Sequence, residues 1–409
     1  MPPELPEPKY TVDLGFDSDG GRLADSKFLS ELASGMPDGE KLRTALLFAM
    51  KDFGPYKGQF LFNKKGLVDS EQLPPADLIF LTFIYVCGHS YGGKFEKVAW
   101  STAFTYKSVP FAFSLQKFGL RLYHHKDAAP PPKLSKEMIR ALSKAVRIIS
   151  KLMEPVAQAQ ISAGNVTIAN SFCKLDNMYS YFRQHAKENF AEKPPQENPK
   201  LEDLGKLLTD AFQRDAAGAY NTIAMIDAYF SRLEHLLVIL LAFAEPGENK
   251  LDLLKEIGGF WSEKFKRIFP FEKFPTAKAL YDRLVELRER QRNPIAHGNF
   301  QKDGKSLYFH FGSAGAVSCD LSESRPKSLM FLADNEDFET ACGLFDEIDN
   351  FIAVSPLKFG FLYAKSALNV AYDDKTIAKY RAAAVDEESF TTFLEQESYI
   401  ADMQANMDW

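Results

Sequence analysis

Cysteine is scarce in this chain of 409 residues, which has only Cys87, Cys173, Cys319 and Cys342. Since no two of them form a Cys-x-x-Cys pair, we predict neither a structural zinc site nor a disulfide framework. The neighbouring His124 and His125 have no partner at i+4 and no nearby carboxylate cluster. We therefore expect no metal ligands and no cofactor, and the thiols fit a reducing cytoplasm best.

Long apolar runs are also lacking. The longest run, Leu78 to Cys87, contains Thr82 and falls well short of the ~18 residues that cross a bilayer. The first residues, Met1 to Glu7, have neither the basic start nor the apolar core of a secretory signal. We expect no membrane span and no secretory signal, in agreement with a cytoplasmic location.

Positive charge is in deficit. The chain carries 49 Lys and Arg against 55 Asp and Glu, a formal net charge of −6. Proteins that coat nucleic acid nonspecifically gain affinity by neutralising phosphates, so this balance argues against that class. A local basic cleft is still compatible with it, and the candidates for that cleft are Arg283, Arg288 and Arg290.

The chain does have ample core material. Hydrophobic residues make up 45% of it and 35 residues are Phe, in a length that suits two or three domains. Proline-rich breaks at 128–133 and 193–199 mark boundaries. We predict a leader at 1–38, an α+β domain at 39–128, a helical connector at 129–200, a helical domain at 201–355 and a C-terminal extension at 356–409.

The N-terminal domain combines helical and strand patterns. A helix is predicted at 39–53, and apolar residues that alternate over 111–122 around Gly119 predict paired strands. Residues 88–94 have the glycine and lysine spacing of a phosphate-binding loop. However, Phe95 stands where Ser or Thr would ligand magnesium, and strand-like sequence follows. We therefore predict a turn at this position.

Helical periodicity dominates the rest of the chain. Ser135 can cap a helix whose apolar stripe packs within the chain or against a second copy, and the stripe comprises Met138, Leu142, Val146, Ile149, Leu152, Met153 and Val156. A long core helix is predicted at 216–243, and Trp261, Phe265 and Phe269 share one face of a shorter helix. A turn and alternating residues at 302–311 predict a small β appendage. The acidic segment 386–409 predicts a docking helix or a partly ordered tail.

The most informative stretch is Arg292-Asn293-Pro294-Ile295-Ala296-His297-Gly298, which follows an amphipathic helix pattern at 281–288. RNA carries a 2′-hydroxyl beside every phosphodiester, so a positioned base can drive its attack on phosphorus without a metal. His297, with an ordinary pKa of about 6.5, can accept or donate a proton near neutral pH. Arg292 would hold the phosphate through its planar guanidinium group. Asn293 would orient the side chain of either Arg292 or His297.

The spacing of the motif needs a special arrangement. Positions 292 and 297 differ by about 140° on a regular helix and do not share a face. Pro294 removes a backbone donor and crowds the carbonyl of Arg290, which predicts a kink or a helix start. A structural alternative is that His297 lies near a helix end capped by Gly298.

The motif resembles the signature of the HEPN superfamily, in which an Arg followed by a polar residue precedes a His after a short spacer. The resemblance covers about 201–300, with 335–352 as a closing helix. It implies a helical bundle, dimers in which two Arg-His pairs line one cleft, and an acidic residue on the first helix, for which Glu234 is the candidate. Alternatively, Glu234 and His235 lie on the solvated edge of the apolar stripe.

We therefore predict an α+β protein, with a strand-containing N-terminal domain, a helical connector and a C-terminal HEPN-like all-α bundle that carries a small β appendage. The favoured function is a metal-independent endoribonuclease acting as a homodimer. Its catalytic residues would be Arg292, His297 and Asn293, and its RNA-binding residues Arg283, Arg288 and Arg290. The resemblance also implies a role in bacterial stress or phage defence, with the N-terminal domain sensing or restraining the nuclease. The rivals are a noncatalytic nucleotide- or RNA-binding module and a dimerisation adaptor.

Overall fold

The computed structural model describes residues 10–11, 27–34, 36–62, 73–128, 130–191, 204–244, 253–292, 308–312, 315–318 and 333–408. The chain forms two compact units, residues 1–163 with 395–409 and residues 164–394. The first contains an antiparallel sheet region and the described part of the second is mainly helical, so the predicted mixed architecture is confirmed. The boundary between the units lies inside the predicted connector 129–200.

The sheet of the N-terminal unit has the order β1-β3-β4-β5-β6, with β2 also paired to β4. Its strands are β1 (Tyr10–Thr11), β2 (Phe53–Pro55), β3 (Tyr91–Gly92), β4 (Val98–Tyr106), β5 (Val109–Gln116) and β6 (Gly119–His124). The β1–β3 pair is parallel and the other pairs are antiparallel. The strands predicted on either side of Gly119 are β5 and β6.

Tight turns set the register of this sheet. Lys107 and Ser108, which join β4 to β5, have φ angles of 49° and 65°. Two successive positive φ angles make the primed turn whose twist matches that of a hairpin. Gly119 has a φ of 109°, a conformation that strains other residues. The resulting register places Phe104 opposite Phe111, both of them buried in the core.

The helices of the N-terminal unit share one apolar core with the sheet. They are α1 (Lys27–Ser34), α2 (Gly39–Met50), α3 (Ala76–Phe80), which continues as a π-helical segment at Leu81–Val86, and α4 (Pro132–Ser162). Helix α1 lies in the segment predicted as a leader, and its Leu29 and Leu32 are buried in that core. A Cβ on Gly39 would lie 1.8 Å from the carbonyl oxygen of Ala33, so glycine allows α2 to begin against the end of α1.

Helix α4 carries the apolar stripe predicted from its sequence. Its buried positions, which belong to the same core as the sheet, include Met138, Leu142, Val146, Ile149, Leu152 and Val156. The stripe therefore packs within the chain and not against a second copy, the other arrangement that the sequence allowed. The helix begins before the predicted cap Ser135, at Pro132, because the fixed φ and missing N–H of proline suit a first turn.

The C-terminal unit is built mainly from helices. They are α5 (Phe172–Phe190), α6 (Leu204–Leu240), α7 (Leu253–Gly258), α8 (Trp261–Ile268), α9 (Pro275–Leu287), which continues as a π-helical segment at Arg288–Arg292, α10 (Asn335–Val354), α11 (Lys358–Lys365), α12 (Asp374–Ala383) and α13 (Glu387–Asn406). Helix α13 crosses the division between the units, since residues from Glu395 onward belong to the N-terminal one. Among the helices described, none has both the length and the apolarity that a membrane span requires.

Short strands complete the C-terminal unit. β7 (Thr167–Ile168) pairs with β10 (Val370–Ala371), and β8 (Tyr308–Phe311) pairs with β9 (Gly315–Ser318). Strand β8 lies where the small β appendage was predicted, and His310 on it is exposed, whereas its partner β9 lies beyond that segment. The turn predicted at 302–305 lies outside the described residues.

The core of the C-terminal unit forms around α6. The helix predicted from Ala216 begins earlier, at Leu204, and most residues of its second half are buried, whereas Asp227 and Ser231 are exposed. Trp261, Phe265 and Phe269 are buried against it, as their shared face predicted. Phe390 on α13 is also buried, so the segment predicted as a docking helix or tail is a packed helix.

Candidate active site

The motif follows directly on helix α9. Arg292 ends the π-helical segment, whereas Asn293 and His297 lie outside the described residues. The structure describes the elements that support the motif, which we call its mount: α9, the π turn and the neighbouring helices. The positions and directions of these helices decide which other side chains lie near the end of α9.

Helix α9 is held by one buried face. Pro275 begins the helix, at a position where a backbone N–H would have no hydrogen-bond partner within the helix. The buried positions are Ala277, Leu280, Leu284 and Leu287. Their three- and four-residue steps form the apolar stripe of an amphipathic helix. After Leu287 the helix widens into the π turn Arg288–Arg292, a feature that recurs at functional sites.

Gln291 ties the π turn to α10. Its Nε2 donates a hydrogen bond to Asp337 Oδ1 at 2.7 Å, and the residue is buried. Asp337 also forms a capping box with Asp334, in which each residue's carboxylate accepts from the other's backbone N–H at 2.9 and 3.3 Å. One carboxylate therefore caps α10 and anchors the residue that precedes Arg292. The sequence did not reveal this contact, because its two residues lie 46 positions apart.

Two of the three arginines predicted to bind RNA are engaged by carboxylates. Arg283 forms two hydrogen bonds with Glu347 on α10, one of them 3.1 Å between Nη2 and Oε1. These bonds raise the pKa of Arg283 and lower that of Glu347. Arg290 Nη2 lies 2.9 Å from Glu286 Oε1, and the Nε of Arg288 is buried without a hydrogen-bond partner in the described structure. This surface is therefore less positive than its sequence suggests.

Glu234, the predicted acidic support, pairs with a buried lysine. Its Oε1 lies 2.6 Å from the Nζ of Lys264, whose side chain is only 1% exposed. The same Nζ donates to the backbone carbonyls of Ile257 and Gly259 at 3.1 and 2.7 Å. The lysine thus satisfies carbonyls at the end of α7, and Glu234 supplies the charge that a buried ammonium needs.

Side-chain contacts fix the directions of α6, α9 and α10. Helix α10 runs parallel to α6, because three contacts join them in rising order: Met225 with Cys342, Tyr229 with Phe345 and Arg232 with Asp349. Helix α9 runs antiparallel to α10, since Arg283 meets Glu347 and Gln291 meets Asp337. The motif end of α9 therefore lies beside the beginning of α10.

These directions separate Glu234 from the motif. Cys342 of α10 contacts Met225 of α6. Since the two helices run parallel and Asp337 precedes Cys342 by five positions, Asp337 lies at about the same height along the helix axes as residue 220 of α6. Glu234 is fourteen positions beyond that level, or about 20 Å at ~1.5 Å per residue. The structure does not bring Glu234 to the motif end of α9. The sequence pattern could place Glu234 on the edge of α6 but could not say which end of α9 lies nearby.

A buried charge network is a second polar feature of this unit that the sequence did not reveal. Arg232, 3% exposed, donates from Nη1 and Nη2 to Asp349 at 2.9 Å and from Nε to Asp176 at 2.5 Å. Its guanidinium also lies over the rings of Phe172, Tyr179 and Tyr229. Burial alone would lower the pKa of Arg232, but the hydrogen bonds and charge of Asp349 raise it. The network joins α5, α6 and α10.

His235, next to Glu234, has a structural role. Its Nε2 accepts a hydrogen bond of 2.9 Å from the backbone N–H of Ser171, at the start of α5. Burial lowers the pKa of His235, which favours the neutral ring that this bond requires.

Comparison of the chain with protein-family models, curated proteins and solved structures found no match. The likeness to the HEPN signature therefore rests on the motif at 292–298 and on the helical setting that precedes it.

Proposed function

We propose that the C-terminal unit is a metal-independent endoribonuclease of HEPN type that cleaves single-stranded RNA. The proposal rests on one observation, the sequence Arg-Asn-Pro-Ile-Ala-His-Gly at 292–298 placed directly after helix α9. It combines a proton-transfer group with a phosphate-binding group at a short spacing, which is what metal-free cleavage of RNA requires.

The proposed reaction is an internal transesterification. The 2′-hydroxyl oxygen attacks the adjacent phosphorus, its proton is removed by a base, and the bond from phosphorus to the 5′-oxygen breaks. His297 takes up the hydroxyl proton or donates a proton to the leaving oxygen. Arg292 holds the phosphate and stabilises its growing negative charge, while Asn293 orients one of these groups. The products are a 2′,3′-cyclic phosphate and a free 5′-hydroxyl.

The mount of the motif supports this role. Catalytic groups need supporting residues that are themselves held by packing and hydrogen bonds. Gln291, adjacent to Arg292, is buried and bonded to Asp337, and Leu287 lies buried one turn earlier. Arg283 and Arg290 could add to RNA binding only by exchanging their carboxylate partners for phosphates.

We further propose that a second copy completes the site. Arg292 and His297 differ by about 140° on a regular helix, so a two-fold axis is the simplest way to place both types of group around one phosphate. By its resemblance to the superfamily, we place the protein in bacterial stress or phage defence in the cytoplasm. The N-terminal unit would then sense a signal or restrain the nuclease.

Cleavage of end-labelled single-stranded RNA in EDTA tests the reaction. We expect cyclic phosphate ends, no cutting of matching DNA, and a loss of about 100-fold or more in His297→Ala and Arg292→Ala. Glu234→Gln should retain activity per folded molecule, because Glu234 pairs with Lys264 away from the motif end of α9. Since this change leaves the buried Lys264 without its charge partner, urea unfolding gives the folded fraction of each variant. Strict dependence on magnesium, or full activity of His297→Ala, would contradict the mechanism. Stable RNA binding without cleavage would support the noncatalytic alternative.

Mixing subunits tests the composite site. An excess of inactive His297→Ala chains, allowed to exchange with wild type, should remove more activity than dilution alone if two chains form one site. Activity that tracks the wild-type fraction would mean that each chain holds a complete site. The monomer–dimer equilibrium is checked by sedimentation of the same samples.

A further inference from the structure

A row of basic side chains runs along the outer side of α4 in the N-terminal unit. The row consists of Lys136, Arg140, Lys144, Arg147 and Lys151. Their steps of three and four residues keep them within an arc of about 80° along about 22 Å of helix. We call these five residues the α4 basic row.

The α4 basic row is exposed and uncompensated. All five residues are exposed, and within the described part of the chain none of them forms an ion pair with a carboxylate. Glu137, on the same helix, is bonded instead to Lys107 of the β4–β5 turn. Glu154 lies one turn beyond Lys151 and ends the row. A chain with a net charge of −6 thus carries a concentrated positive strip.

An exposed aromatic ring accompanies the row. Phe48 on α2 is 61% exposed, whereas five other phenylalanine rings of this unit, Phe53, Phe83, Phe104, Phe111 and Phe113, are buried in its core. The Nζ of Lys144 lies 5.7 Å from the centre of its ring, and the Nζ of Lys51 lies 4.5 Å from it on the neighbouring turn. The ring and the cations therefore form one continuous surface across α2 and α4.

We propose that this surface binds single-stranded RNA, with phosphates on the α4 basic row and a base stacked on Phe48. Grooves that hold single strands combine backbone-tracking cations with aromatic rings on which bases stack. A row of about 22 Å spans about six phosphates at the ~3.4 Å axial spacing of a stacked strand. The choice of RNA rests on the proposed function, whereas the surface itself offers contacts to phosphate and base.

Burial of the opposite face of α4 argues against a membrane partner. A helix that binds a bilayer surface inserts its apolar face between the headgroups. In α4 that face, which includes Met138, Leu142 and Ile149, is buried in the core of the unit. An acidic protein would match the charge of the row but gives no reason for the exposed ring of Phe48. Single-stranded RNA accounts for both features.

Binding of a fluorescein-labelled 20-nucleotide 2′-O-methyl RNA, followed by anisotropy, tests the proposal on the full chain. Methylation blocks attack by the 2′-oxygen, so binding is measured whether or not the protein cleaves RNA. Arg140→Glu/Arg147→Glu should weaken binding by about tenfold or more and lower the slope of log affinity against log salt by about 1.4. Lys375→Glu/Lys379→Glu, an equal charge change at exposed sites on α12, should change affinity less than about twofold.

Phe48→Ala tests the stacking contact. Loss of one stacked base should weaken binding of the single strand by about fivefold or more and leave the salt slope unchanged. Equal losses in the α4 and α12 variants would overturn the proposal, because they would reflect net charge alone. Binding that requires vesicles of anionic lipid, or no effect of Phe48→Ala, would overturn it as well. Since glutamate is a good helix former, circular dichroism should show both double variants folded, and Arg140→Gln/Arg147→Gln provides a milder repeat.

Discussion

Two arginines of α4 in the N-terminal unit and three arginines of the C-terminal helices differ in what they contact. In the N-terminal unit, Arg140 and Arg147 point outward from α4 and have no carboxylate partner among the described residues. In the C-terminal unit, Arg183, Arg232 and Arg283 are each bonded to an aspartate or glutamate. Arginines on amphipathic helices therefore have two different roles. Those of α4 are available to a ligand, whereas those of the C-terminal unit hold helices together.

Solvation explains the difference. A buried cation must recover the hydration that it loses, so Arg232 is found with two aspartates and three aromatic rings. An exposed cation keeps its water and needs no partner, and an exposed ion pair contributes little. A count of arginines in the sequence cannot separate these cases. The three experiments below test how burial sets the effect of a charge on stability and binding, beginning with the largest expected effect.

Asp349→Ala should be the most damaging of these substitutions. It leaves the guanidinium of Arg232 buried with only Asp176 as a charged partner, which typically costs about 3–5 kcal/mol in the free energy of unfolding. Asp346→Ala, three residues earlier on α10, removes the partner of the partly exposed Arg183 and should cost about 1 kcal/mol. Urea unfolding of both variants provides the measurement. Equal costs would show that burial does not set the strength of these pairs.

His89 in the N-terminal unit is a second histidine whose pKa is lowered by burial, and it makes stability depend on pH. Its Nδ1 is buried without a hydrogen-bond partner in the described structure, and burial lowers the pKa of His89 to about 4. Against an unfolded value of about 6.5, the unfolded state binds the proton first, so the stabilising effect of the neutral ring is lost as pH falls from 6.5 towards 4. The loss should approach about 3 kcal/mol, since each pKa unit corresponds to ~1.36 kcal/mol.

The variant His89→Leu isolates this effect. It removes the titrating group, so the difference in unfolding free energy between variant and wild type should shrink or reverse between pH 7 and pH 4. A difference that stays constant over this range would exclude His89 as the source. Measuring the variant against wild type at each pH cancels the contribution of the carboxylates, which titrate in the same window.

The smallest effects are expected at the arginines of α9. Arg283→Ala/Arg290→Ala should change the unfolding free energy by less than about 1 kcal/mol, because both ion pairs are exposed. The same variant should weaken binding of the methylated RNA less than about twofold, whereas Arg140→Ala/Arg147→Ala should weaken it about fivefold or more. The reverse ranking would place RNA on α9, where the sequence predicted it, and away from α4.

Much of the fold was predictable because burial repeats at fixed steps along one element. The stripe of α4, the core helix α6, the alternating strands β5 and β6, and strand β8 all follow from such steps. Strand β9, the partner of β8, was not predicted. Helix α1 was missed because it is short and lies in a Gly- and Asp-rich segment. Only the packing of Leu29 and Leu32 into the unit's core accounts for it there.

The sequence by itself determined the spacing of Arg292, Asn293 and His297, the apolar faces of the helices and the basic periodicity of α4, because each is a local property of neighbouring residues. Only the tertiary structure decided which charged and polar side chains pair with one another within the fold. Arg232 and Asp349 are 117 positions apart, and Gln291 and Asp337 are 46 apart. It also placed Glu234 beside Lys264 and away from the motif end of α9. A charge finds its partner through the packing of distant segments, and no pattern within one helix records that choice.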